Sequence, residues 1–133
     1  MQDWKQILYD IYTPEIGALW AAQNMIWTNS FAQNKPRTDN HPSVVGKVSS
    51  CKTVCLIIPG TSKGRVNSCV FKVKLKENDP NCSESYFLIS LWMSYSKSEL
   101  LKLRRGWDGI DILNQNQVSS LKLQIKYCNG INV

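Results

Sequence analysis

The sequence predicts a mainly β protein, a small and strongly bent barrel with peripheral helices at its N- and C-terminal ends. Three observations carry that expectation. Short apolar runs follow one another at close spacing from Ser43 to Met93. The clearest alternates with a period of two: Cys69, Phe71, Val73 and Leu75 face one way, and Lys72, Lys74 and Lys76 the other. Helical spacing of apolar residues, by contrast, appears only near the two ends.

Taken in order, Trp4, Ile7, Leu8 and Ile11 form one apolar stripe of a short helix. Pro14 ends it, because the residue before a proline avoids the α region. The run EIGALWAA reads as a first strand. Asn24 to Asn40, about 17 residues rich in Asn, Thr, Ser and Pro, reads as a long polar loop of the kind that often carries function. Strands are expected at Ser43–Val48, at Thr53–Ile58 and at Cys69–Leu75. The second of these, TVCLII, is apolar throughout and so should be buried on both faces. ENDPNCSES is a turn region, and YFLISLWM from Tyr86 to Met93 reads as one further buried strand. Ser96 and Glu99 are spaced for a capping box, and LKLRR fits a short strand. Asn114 should cap a final helix with Val118, Leu121, Ile125 and Cys128 on one stripe and Gly130 as its stop. Periodicity alone does not distinguish an SH3-like from an OB-like closure of such a barrel.

The 133 residues fit one domain, 1–133, with 1–14 as its N-terminal helix. No apolar run approaches the roughly 20 residues that span a bilayer. MQDWKQILYD mixes charges among its apolar residues and has no secretory h-region. Five cysteines, an odd number, then suggest reduced thiols and a cytoplasmic protein. There is no CxxC pair and only one histidine, His41, so no metal site is expected.

The net charge of +6 is concentrated. Between Lys35 and Lys76 nine cations face a single anion, Asp39, a local net of +8 that leaves −2 for the remainder. Such a segment suits a polyanion such as RNA, or an acidic protein partner.

The blocks IGALWAA, a long polar loop, HPSVVGKV, TVCLIIPGTSKG and CVFKVKL, in that order, resemble the core of the MazF/PemK family of type II toxin–antitoxin toxins. The resemblance runs from about Ile16 to Tyr127, with the N-terminal helix as an addition. It implies an SH3-like barrel, usually a homodimer, inhibited by a cognate acidic antitoxin. It also implies an endoribonuclease that cuts single-stranded RNA with no cofactor and no metal. The family's basic residue before a proline falls on His41, where arginine is usual. Arg37, four residues upstream, is the candidate to supply that guanidinium. The family's strand-end threonine falls on Thr61.

Metal-free cleavage uses the substrate's own 2′-hydroxyl as nucleophile. The protein must remove that proton, stabilise charge on the phosphate and see the 5′ oxygen protonated. Histidine is the side chain best suited to proton transfer near neutrality, which makes His41 the candidate acid or base. PGTSKG offers Thr61, Ser62 and Lys63 as a phosphate cradle if it forms a turn, with Arg65 beyond it. Lys35 and Arg37 are candidate phosphate-positioning residues of the polar loop, since guanidinium binds phosphate bidentately. Trp27 and Phe31 could stack on unpaired bases, or pack in a core or dimer interface instead. The competing class is a non-catalytic module on the same fold. It would act on a protein target such as DNA gyrase, or bind nucleic acid without cutting it.

Overall fold

The structure, a computed structural model, describes residues 3–28, 36–62 and 69–130. Phe31, Lys35, Lys63 and Arg65 lie outside the described residues.

Helix α1 spans Trp4–Ile11, and the Asp3 carboxylate caps it by accepting from the Gln6 N–H at 2.9 Å. None of its residues is buried: Trp4 is 78% and Ile11 71% exposed. The strands are β1 Leu19–Gln23, β2 Asn40–Val48, β3 Val54–Thr61, β4 Val70–Val73, β5 Ser85–Leu88, β6 Met93–Ser96 and β7 Arg104–Arg105. They form one antiparallel sheet in the order β4-β5-β3-β2-β1-β7, with β6 also paired to β3. The sheet is barrel-like but not closed, as the β order from β4 to β7 shows. Helix α2 spans Lys97–Leu100 and α3 spans Gln115–Asn129. Among the described residues no helix is long and apolar enough to cross a membrane.

Strand alternation sends neighbouring side chains into two cores. Trp20, Val45, Cys55 and Ile57 join Leu88 and Leu100 in one. Leu19, Val44, Ile58 and Phe87 join Leu121 and Ile125 of α3 in the other. The apolar TVCLII run therefore does bury both faces, Ile57 into the first core and Ile58 into the second. Local signals at the helices hold as well. Ser96 Oγ accepts from the Glu99 N–H at 3.2 Å to start α2. Asn114 and Gln117 cap α3 reciprocally, and Gly130 ends it.

Two expectations are corrected. Pro59, Gly60 and Thr61 are not a turn; they continue β3. On the flank facing β5 and β6, Val54–Ile57 pairs with β6 and Gly60–Thr61 with β5. Pro59 falls in the gap between them, where its missing N–H leaves no ladder partner unmet on that flank. The second correction concerns Tyr86–Met93, which is not one strand. A 3-10 turn at Ile89–Leu91 separates β5 from β6. Both strands pair with β3, but the register with β6 is displaced by three residues from that with β5. The intervening turn takes up those residues.

The tip between β2 and β3 holds an activated thiol. Cys51 Sγ lies 3.5 Å from Ser49 Oγ and 2.9 Å from Thr53 Oγ1. Hydrogen bonds from Ser49, then Thr53, bring its pKa down to about 7. Burial pushes the Cys55 thiol up to about 11 and Cys128 up to about 12. Above pH 7 Cys51 is thiolate while these two remain protonated. Iodoacetamide should therefore modify Cys51 before Cys55 and Cys128, at a rate that climbs from pH 6 to pH 8. Mass-spectrometric mapping showing Cys55 alkylated as fast as Cys51 would contradict this.

Candidate functional site

The antiparallel register pairs Ser43 of β2 with Pro59 of β3. Two residues further along each strand stand His41 and Thr61, so the end of the polar loop meets the end of TVCLIIPGT. The contact is direct: His41 Nδ1 lies 3.2 Å from the Gly60 carbonyl oxygen. A carbonyl only accepts, so Nδ1 carries the hydrogen and Nε2 holds the basic lone pair. On its other side His41 pairs with Ala22 of β1. The ring is thus placed by two strands, which is firmer than placement by a loop.

Gly60 makes this approach feasible. A Cβ there would sit 2.7 Å from Phe87 Cε1 and 3.0 Å from Pro42 Cγ. Only glycine lets β3 pass this close to both.

A cavity of about 230 Å³ opens beside the imidazole. His41 and Pro42 form one wall and Ser62 another. Ser85 at the start of β5, Ser83 just before it, and Trp107 with Asp108 also line it. Its volume falls below the roughly 300–1,000 Å³ of sites for drug-sized ligands. It suits a group the size of one base or one phosphate.

The remaining candidates are placed as follows. Thr61 is buried, 3% exposed, and pairs with Tyr86 of β5. Ser62, the next residue, is exposed and lines the cavity. Arg37 is exposed in the turn before β2. The Asn24 side chain anchors that turn by donating to the Pro36 carbonyl at 2.7 Å, and the Arg37 carbonyl accepts from the Met25 N–H at 3.0 Å. Arg37 is not among the residues lining the cavity. Trp27 packs into the first core, 7% exposed, the core alternative raised for it above. Among the described residues no three His, Cys, Asp or Glu side chains gather as a metal site.

Sequence reasoning missed Trp107 and Asp108. The available signal was the Asp108-Gly109 dipeptide, a strong marker of a two-residue hairpin.

No model of a known protein family matches this chain, and no curated protein matches its sequence. Solved structures do match. A chain of the MazE-MazF complex (Form-II) from Deinococcus radiodurans superposes with a TM-score of 0.52. It covers 91% of this chain and 99% of its own length at 14% identity. The Form-I crystal of that complex gives a TM-score of 0.51, again at 14% identity, over 90% and 99% of the two chains. The fold is MazF-like. At this identity the likeness is one of backbone architecture. Measured against the MazF fold, the bent antiparallel sheet and the helices near both ends agree with the expected fold class.

Proposed function

We propose that this chain is a metal-independent endoribonuclease toxin of the cytoplasm, cutting single-stranded RNA by attack of the 2′-hydroxyl. The observation that carries this reading is the His41 Nδ1 contact to the Gly60 carbonyl, made at the wall of a cavity shared with Ser62. The MazF-like fold supports it.

In this reading His41 Nε2 takes the proton of the 2′-hydroxyl as the 2′ oxygen bonds to phosphorus. The bond from phosphorus to the 5′ oxygen breaks, and that oxygen takes a proton from water. The products are a 2′,3′-cyclic phosphate and a 5′-hydroxyl. Ser62 Oγ donates to a non-bridging oxygen. Thr61, buried one residue earlier, sets the strand end from which Ser62 projects. Arg37, with Lys35, Lys63 and Arg65 of the basic segment, draws in the RNA backbone, and Phe31 in the polar loop stacks on a base. In this reading the partners are a second copy of the chain and an acidic antitoxin; the similar solved chains come from a MazE-MazF complex.

Incubation of the purified protein with a long single-stranded RNA in EDTA tests the proposal. Discrete fragments ending in 2′,3′-cyclic phosphate are expected. RNA that stays intact at high protein concentration would instead identify a binding module.

A further inference from the structure

We propose that the Trp107–Ile110 hairpin forms a base-binding subsite selective for guanine, in which Trp107 stacks on the base and Asp108 accepts from its Watson–Crick edge. This rests on the RNA-cleaving reading of the His41 cavity and names the group held beside the scissile phosphate.

Four observations support it. Trp107 and Asp108 line the same cavity as His41 and Ser62. The hairpin is closed by two hydrogen bonds, from the Trp107 N–H to the Ile110 carbonyl at 2.9 Å and from the Ile110 N–H to the Trp107 carbonyl at 3.0 Å. Asp108 and Gly109 at its tip have φ of 54° and 80°, the left-handed pair that a tight two-residue hairpin demands. The hairpin is also tied to the sheet, since the Gly106 N–H donates to the Leu19 carbonyl at 2.7 Å. A subsite held this way is preorganised.

The chemistry of the two side chains is complementary to one base. Trp107 is half-buried, packed against the second core while also forming cavity wall. An indole so placed offers a flat apolar surface to an unpaired base, which is how single strands are commonly held. Asp108 is acceptor-only when ionised, with two oxygens and about four lone-pair positions. Lys76 Nζ lies 3.4 Å from Asp108 Oδ1, orienting the carboxylate while leaving further lone pairs for a ligand. Guanine presents two adjacent donors, N1–H and the N2 amino group, which match the two carboxylate oxygens. Uracil presents a single N–H on that edge, flanked by carbonyl oxygens that a carboxylate repels. The cavity volume of about 230 Å³ is large enough for one base at its Trp107 and Asp108 lining, with the phosphate at its mouth by His41 and Ser62.

The test uses short 2′-O-methyl RNA oligonucleotides, which lack the attacking hydroxyl and so report binding alone. One position carries guanine, uracil or no base. The wild-type chain should bind the guanine oligonucleotide about tenfold or more tighter than the abasic one. Trp107→Leu should erase that ratio, and Trp107→Phe should restore most of it. Asp108→Asn should remove the preference for guanine over uracil while keeping the preference for a base over none. Each ratio is taken within one variant, so a change in the folded fraction cancels. A guanine-to-abasic ratio unchanged in Trp107→Leu would overturn the subsite while leaving RNA cleavage by the wild type intact. A wild-type chain that neither binds these oligonucleotides nor cuts RNA would overturn both readings.

Discussion

His41→Ala should slow RNA cleavage by about 10²–10⁴-fold, the usual worth of a positioned proton-transfer group. The Gly60 carbonyl holds Nδ1 at 3.2 Å, which fixes both the ring and its tautomer. Alanine removes the only imidazole in the chain, and no other histidine is present to replace it. The structural cost should be small. The hydrogen bond to the Gly60 carbonyl contributes about 0.5–1.5 kcal/mol, and the His41 side chain is only half-buried. Cleavage rates on a defined RNA, paired with thermal melts of the same preparations, separate the two effects. A variant that cuts at the wild-type rate would remove His41 from the chemistry. A variant that loses activity and melts far below the wild type would make it a structural residue instead.

Phe87→Ala should be the most damaging substitution in the second core. Phe87 is fully buried in β5, with β4 on one side and β3 on the other. Its ring lies 6.4 Å from that of Phe71, centroid to centroid. Truncating a buried phenylalanine costs about 3–5 kcal/mol, through lost burial and the cavity left behind. For a domain of this size that corresponds to a fall in Tm of about 10–20 °C. Total stability is usually only about 5–15 kcal/mol, so the variant approaches the folding threshold. Phe87 also fills the space against Gly60, whose carbonyl holds His41. Cleavage should therefore fall even at temperatures where the variant remains folded. A calorimetric Tm within a few degrees of the wild type would show that the β5 packing contributes far less than its burial implies.

The two substitutions probe features of different visibility in the sequence. Period-two alternation across Cys69–Leu75, the capping residues Ser96 and Asn114 and the stop at Gly130 are local signals. Each depends on residues within a few positions of one another, so each could be read directly. Where the reading failed, a non-local partner decided the outcome. Pro59 and Gly60 carry turn composition, yet they extend β3 because β2 pairs along it and β5 takes up its end. YFLISLWM looks like one strand, yet it breaks because its halves pair with different stretches of β3 in different registers. For Trp27, where the sequence left base stacking and core packing open, the fold selects the core.

By itself, the sequence determined the mainly β class, the two terminal helices, the cap and stop of the second of them, the double-sided burial of TVCLII and the choice of His41 as the group to watch. All follow from spacing, capping and side-chain chemistry, which act over a few residues. Only the tertiary structure decided that His41 leans on Gly60, that Ser62 rather than Thr61 faces the cavity, and that Trp107 and Asp108 line that cavity with them. Those residues come from β2, the end of β3 and the hairpin before α3. Strand pairing and the bend of the sheet bring them together, and neither leaves a mark in any one segment of chain.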